Sequence, residues 1–239
     1  MSDSTALVTG ADKGIGKQIA VQLAAAGVTV YVGSRSPDRG QQAVDEIGGL
    51  ARLLVIDVTD AESIAEAARQ LTSLDILVNN AGISLDTASP PDGTDVDTFR
   101  RTYETNVFGV VAVTNAFLPV LRRSAKPRIV NISSGTGSLA WSTGPNPQFK
   151  PGSGAGAAYR SSKAALNALT VFYALELAEA GVKVNALAPG LRATDLNAFA
   201  TANGGDPAEA AEGAVRLALL PDDGPSGGFF SWDGSPAPW

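Results

Sequence analysis

The stretch Thr5–Arg35, "TALVTGADKGIGKQIAVQLAAAGVTVYVGSR", decides the fold. "TALVTG" (Thr5–Gly10) is a short apolar run that ends in glycine. "GIGKQIAVQLAAAG" (Gly14–Gly27) sets Ile15, Ile19 and Leu23 four residues apart, on one face of a helix, with Gly27 as a natural stop. "VTVYVGSR" (Val28–Arg35) is β-branched and strand-like. Gly10, Gly14 and Gly16 therefore fall between a strand and a helix. Glycine at that turn lets the backbone approach a pyrophosphate, and the helix N-terminus points free N–H groups at it. The spacing is G-x-x-x-G-x-G, and a glycine cluster alone is weak, since turns need glycine anyway. The strand before it and the helix after it supply the context.

The alternation continues along the chain. "ARLLVIDVTD" (Ala51–Asp60) and "LDILVNNAG" (Leu74–Gly82) read as strands around a helix over Ala61–Leu71. A long helix around Phe99–Arg123 leads to the strand "RIVNISS" (Arg128–Ser134). A helix containing Tyr159, the strand "VKVNALAPG" (Val182–Gly190), a helix around Pro207–Leu220 and a strand near Gly228–Trp232 complete the pattern. Nearly continuous apolar strands are buried on both faces, so the expected fold is α/β, a doubly wound parallel sheet of about seven strands with helices on both sides. No linker divides the chain, and residues 1–239 are expected to form one domain. Residues 136–156 and 221–239 are rich in Gly, Pro and Ser and read as a loop insertion and a C-terminal strand and tail. Their aromatics, Trp141, Phe149, Trp232 and Trp239, point to packed or ligand-facing roles.

The totals exclude several kinds of chemistry. The 239 residues are 44% hydrophobic and 18% charged, with a net charge of −6, which disfavours non-specific binding to nucleic acid or anionic membranes. Cysteine and histidine are both absent. A thiolate nucleophile, a Ser-His-Asp triad and His- or Cys-based metal sites are excluded, and no metal is expected. Proton transfer near neutral pH must use Asp, Glu, Lys, Tyr or solvent. The N-terminal "MSDSTALVTG" lacks the pattern of a secretory signal, and no apolar run is long enough to suggest a transmembrane helix, so a cytoplasmic location is expected.

Polar residues recur where strands end: Asp57, Asn79-Asn80-Ala81-Gly82, Ser133-Ser134 and Pro189-Gly190. Ligands of open α/β sheets bind outside the carboxyl ends of the strands, so these residues are candidates for one site, although each could singly be a turn or cap residue. At the end of the second strand stands Arg35, where a carboxylate would hold the ribose 2′-hydroxyl of NAD; an arginine suits the 2′-phosphate of NADP, and Lys13 could add a second positive charge. In "AGAAYRSSKAALNAL" (Ala155–Leu169), Tyr159 and Lys163 share a helix face, a spacing that alone is also common among incidental surface pairs.

Taken together, these motifs resemble the short-chain dehydrogenase/reductase family. "TGADKGIG" is similar to its TGxxxGxG, "NNAG" to its NNAG, "NISS" to its catalytic-serine strand, "YRSSK" to its YxxxK and "PG" to its sixth-strand signature, in the same order. The glycine motif separates the chain from the extended, epimerase-like branch. "RSPDRGQQAV" and "ALLPDDGPSGGFFSWDGSPAPW" further resemble the NADPH-dependent carbonyl reductases of that family. The segment between Ser134 and Tyr159 is longer than in most of the family and shorter than in animal carbonyl reductases, and the stretch after Gly190 is short for a substrate lid.

The resemblance implies an NADPH/NADP site at Gly10, Lys13, Gly14, Ile15, Gly16, Arg35, Asp57, Val58, Asn80, Ala81, Gly82, Tyr159, Lys163, Pro189, Gly190 and Thr194. It implies a catalytic tetrad of Asn106, Ser134, Tyr159 and Lys163, with Ser134 chosen over the adjacent Ser133. Tyr159 would donate the proton, Lys163 would favour its phenolate, Ser134 would hold the carbonyl oxygen, and Asn106 would link Lys163 to solvent through water. Ser134, Trp141 and Tyr159 are expected to contact an apolar or aromatic carbonyl substrate. The activity implied is reversible reduction of a ketone or aldehyde. An alcohol dehydrogenase working oxidatively and a non-catalytic NADP-binding regulator are the alternatives. The long segment before Tyr159 is expected to cover one helix face and favour a monomer or dimer over a tetramer.

Overall fold

Seven short runs of aliphatic and β-branched residues become the strands Thr5–Thr9 (β1), Thr29–Ser34 (β2), Ala51–Val55 (β3), Ile76–Asn79 (β4), Arg128–Ile132 (β5), Lys183–Ala188 (β6) and Phe229–Ser231 (β7). The structure is a computed structural model and describes residues 4–86, 88–149 and 153–239. All neighbouring strands are parallel, in the order β3-β2-β1-β4-β5-β6-β7. The order reverses between β1 and β4, which opens a crevice at their carboxyl ends. The register lines those ends up: Val8 lies opposite both Val32 and Val78, and Val78 lies opposite Val130.

The helices are Gly14–Ala25 (α1), Pro37–Ile47 (α2), Ala61–Gln70 (α3), Val96–Tyr103 (α4), Gly109–Leu121 (α5), Leu139–Thr143 (α6), Ala157–Glu176 (α7), Ala198–Asn203 (α8) and Pro207–Ala218 (α9). Two cores sandwich the sheet, and the period-2 alternation of each strand sorts residues between them. Val8, Val78 and Val130 face α1 and α9 through Ile19, Leu23, Ala214 and Leu217. Leu7, Leu77 and Ile129 face the other side, against Ile64, Val113, Phe117 and Leu177.

Three expectations change. No helix was expected over residues 37–47, yet α2 is well made: Ser36 caps it, Pro37 opens it and Gly48, at φ 69°, ends it. Its buried residues are Gly40 and Ala43, so its inner face carries little apolar signal. The long helix expected near Phe99–Arg123 is interrupted by a π-helical turn, Glu104–Phe108, between α4 and α5. By length and composition Val96–Leu121 could cross a membrane, but half of it is buried here, and Val113, Phe117 and Leu121 are core residues at 0% exposure.

The third change concerns residues 136–156, of which 150–152 lie outside the described residues. The segment is not all loop: a 3-10 turn at Gly135–Gly137 is followed by α6. It folds over the β6–β7 edge, where Trp141 and Phe149 pack with Ala186, Ala188, Phe229 and Ala237. Its described residues meet α7 at Arg160, through Ser142 and Phe149, while Phe172 and Leu175 further along that helix are exposed.

Phe117 supplies the largest fully buried side chain. Phe117→Ala is expected to cost about 3–5 kcal/mol through lost burial and the cavity left behind. Urea unfolding should read this as a lower midpoint with an unchanged slope.

Candidate active site

The glycine turn is built by backbone conformation and by bracing from β4. Gly10 and Gly14 adopt φ of 62° and 56°, in the left-handed region that side chains disfavour. At Gly16 the reason is contact: a Cβ there would collide with the Asn80 side chain and the Gly10 carbonyl. The Thr9 hydroxyl accepts the backbone N–H groups of Asn80 (3.0 Å) and Ala81 (3.1 Å). In return the Asn80 amide donates to the carbonyls of Thr9 (2.9 Å) and Gly10 (3.1 Å). Asn80 therefore holds the glycine turn in shape across the switch point, besides bordering the crevice.

The crevice is a cavity of about 390 Å³. It is bordered by the glycine turn including Lys13 and Ile15, by Arg35, by Asp57 and Val58, by Ala81 and Gly82, and by Tyr159, Lys163, Pro189 and Thr194. Gly190 stands behind it, at φ 70° and against Trp232 and Arg192. Thr194 reaches over the glycine turn, close enough that a Cβ at Gly14 would meet its methyl group at 3.3 Å. The Lys13 ammonium pairs with Asp195 at 3.1 Å across the mouth.

Arg39, in the first turn of α2, borders the same end of the cavity as Arg35 and donates to Asp12 at 2.9 Å. Sequence reading missed it because α2 was missed. The cap "SP" at Ser36-Pro37 was the signal that could have found both. Asp57 has its carboxylate bonded to the Thr59 N–H and hydroxyl, and it shapes the turn after β3.

Ser134, Tyr159 and Lys163 come together at the other end. Gly137 lets α7 approach the end of β5, since a Cβ there would sit 2.8 Å from the Lys163 backbone and Cβ. Lys163 is buried, donates to the Ile132 carbonyl at 2.8 Å and lies 5.7 Å from the centroid of the Tyr159 ring. Tyr159 is half-buried and borders the cavity, and the Ser134 side chain stands near enough to its hydroxyl to pull the phenol's pKa down. The Ser134 hydroxyl also lies 2.9 Å from that of Thr136 and accepts the Thr136 N–H at 3.2 Å. Ser133 points the opposite way, into α7, where it donates to Asn167 at 2.5 Å. Ser133 is among the residues bordering the cavity and Ser134 is not, but Ser134 is the one beside the Tyr159 phenol.

Asn106 sits on the π-helical turn at 0% exposure. Its side chain holds Ile83 and Ser162: the amide accepts from the Ile83 N–H (2.9 Å) and donates to the Ile83 carbonyl (2.9 Å) and the Ser162 hydroxyl (3.0 Å). Trp141 is not at the cavity wall. Its large apolar ring finds a deeper partner in Phe229, centroids 6.3 Å apart, and joins the satellite core under α6.

Burial dominates the titration of the tetrad. It pushes the Tyr159 phenol up to about 12, against a lesser downward pull from the Ser134 side chain. It pushes the Lys163 ammonium down to about 8. Desolvation sets the phenol's direction, and the phenol keeps its proton throughout the neutral range.

Comparison with known proteins agrees with this geometry. The family model described as short chain dehydrogenase matches residues 4–204. The (-)-isopiperitenone reductase of Mentha piperita is 34% identical, over 95% of this chain and 96% of its own. The salutaridine reductase of Papaver bracteatum is 33% identical, over 94% and 93%. The crystal structure of NADPH-bound carbonyl reductase from chicken fatty liver superposes with a TM-score of 0.81 at 28% identity, covering 100% of both chains. The glycine turn at the switch point, the Ser134–Tyr159–Lys163 cluster beside it and these likenesses make the chain a member of the short-chain dehydrogenase/reductase family of oxidoreductases.

Proposed function

We propose that this chain reduces a ketone or aldehyde to the alcohol with NADPH, reversibly, as a carbonyl reductase of its family, and that it works in the cytoplasm. The observation that carries the reading is the buried Lys163 ammonium 5.7 Å from the ring of Tyr159 at the cavity, with the Ser134 side chain beside the phenol. The chain's own residues fit the dinucleotide. Gly10, Gly14 and Gly16 leave backbone where side chains would intrude, and Arg35, Arg39 and Lys13 offer cations to phosphates. No carboxylate follows β2 to favour the free 2′-hydroxyl of NAD; Arg35 stands there instead. The reductase names of several relatives and the NADPH of the chicken enzyme's structure support the same direction and cofactor.

When bound, NADPH supplies the hydride that goes to the carbonyl carbon. Ser134 donates a hydrogen bond to the carbonyl oxygen as negative charge builds on it. Tyr159 holds the proton that the oxygen then takes. Lys163 lies close enough to stabilise the resulting phenolate by its charge. Asn106 fixes Ile83 and Ser162, and so joins the segment after β4 to α7. A purely binding role on this fold would require none of Ser134, Tyr159 and Lys163 in this arrangement.

A panel of ketones and aldehydes with NADPH, followed at the absorbance of the reduced nicotinamide, tests the reading; no turnover of any of them would end it. Tyr159→Phe should lower kcat by roughly 10²–10⁴-fold, the usual worth of a positioned proton donor, while equilibrium binding of NADPH stays nearly unchanged.

Arg35→Asp and Arg39→Ala should each weaken kcat/KM for NADPH relative to NADH by roughly 10- to 100-fold, as expected for a lost hydrogen bond to a charged group. Competition kinetics with both cofactors measures the ratio.

Lys163 is charged below about 8 and neutral above it. Its electrostatic help is therefore present at neutral pH, and kcat for reduction should fall as pH rises through about 8. Lys163→Met should lower kcat and flatten that limb of the pH profile.

A further inference from the structure

Helix α7, which carries Tyr159 and Lys163, does not cap itself. Its N-cap position is Gly156, which has φ 75° and no side chain to serve the first turn. The free N–H groups of that turn need partners when buried. They find one in Asp86, which lies in the segment after β4 and is 2% exposed. One carboxylate oxygen accepts the Ala158 N–H at 2.7 Å and the other accepts the Tyr159 N–H at 3.2 Å. These are the N–H groups that an N-cap aspartate would take, here supplied from far away in the sequence. The Gly156 N–H is held from the same segment, by the Ser89 carbonyl at 3.1 Å.

The segment is pinned at its other end too. Asn106 grips both the N–H and the carbonyl of Ile83 at 2.9 Å. Between Ile83 and Asp86 stand Ser84 and Leu85, which border the cavity. This short stretch of wall is thus fastened at one end to the π-helical turn and at the other to the backbone of the tyrosine itself.

We infer that Asp86 is a positioning residue: its carboxylate fixes the backbone of Tyr159 relative to the cavity wall at residues 83–85, and so sets the phenol against the group that receives its proton. The kinetic consequence rests on the reductase reading, whereas the tie itself does not. Misplacement of a reacting group by about 1 Å can cost on the order of 10²-fold in rate, so a lost tie should appear in kcat more than in binding.

Asp86→Ala and Asp86→Asn test this with two readouts. The first is hydrogen exchange of the cofactor-free protein. In Asp86→Ala the amides of Ala158 and Tyr159 should lose protection while β1, β4 and the C-terminal half of α7 keep theirs. In Asp86→Asn, with one carbonyl oxygen left to accept, the loss should be partial. The second is kinetics with an accepted ketone. Asp86→Ala should lower kcat by roughly 10- to 100-fold, with KM and the NADPH dissociation constant within about twofold, and Asp86→Asn should recover part of the loss. Unchanged exchange at Ala158 and Tyr159 in Asp86→Ala would overturn the inference. So would normal kcat despite lost protection, or a loss of kcat that merely tracks lost folded protein and lost NADPH binding. If the unaltered chain reduces no carbonyl, the reductase reading fails, and the exchange result alone still decides whether Asp86 holds Tyr159.

Discussion

A buried ammonium is the constraint around which this site is organised. Lys163 is 4% exposed, and a charge in that position is costly unless it is hydrogen-bonded. The Ile132 carbonyl, at the last residue of β5, takes that bond. For it to do so α7 must lie almost in contact with the chain leaving β5, and Gly137 removes the side chain that would prevent this. The same close approach brings Ser134 to Tyr159. One packing requirement, the accommodation of a lysine inside the protein, therefore gathers Ser134, Tyr159 and Lys163.

The other half of the cavity depends on the strand-order reversal between β1 and β4. Parallel register brings Val8 and Val78 to the same level, and just beyond them Asn80 donates its backbone N–H to the Thr9 hydroxyl and its side-chain amide to the carbonyls of Thr9 and Gly10 across the gap. A glycine turn with left-handed residues is pliable when isolated, and here its carbonyls are held from the neighbouring strand. The turn can offer its N–H groups to an anion without first having to be ordered, which lowers the entropic cost of binding.

Much of this architecture was legible in the sequence because it is written in local patterns. The strands announced themselves by nearly continuous apolar runs, the glycine turn and Arg35 by their place between strand and helix, and the Tyr159–Lys163 pair only through the set of motifs around it. The failures share a cause. Helix α2 buries only Gly40 and Ala43, so its apolar period is nearly silent and Arg39 went unnoticed with it. Trp141 sits in a Gly-, Pro- and Ser-rich stretch that reads as loop, yet a tryptophan near another aromatic gains more by joining a core, and Phe229, far along the chain, decides its place. Asp86 is one aspartate among many in a turn-like stretch. Its role is a contact to residues 72 and 73 positions away, and such contacts exist only once the sheet has formed.

The titration of the cluster follows from the same burial. Desolvation favours the neutral form of any group, so it raises the phenol and lowers the ammonium together. At neutral pH the outcome is a protonated phenol beside a charged lysine, a buried site with one net positive charge and a proton to give. This is the reverse of the chain as a whole, which carries a net charge of −6. The surface repels anions in general, while the cavity sets four cations, Lys13, Arg35, Arg39 and Lys163, against the carboxylates Asp12, Asp57 and Asp195, of which Asp12 pairs with Arg39 and Asp195 with Lys13. An anionic ligand, or an oxygen on which negative charge is growing, gains from the interior what it would lose at the surface. The low dielectric that makes Lys163 costly to bury also makes its charge effective at the distance of Tyr159.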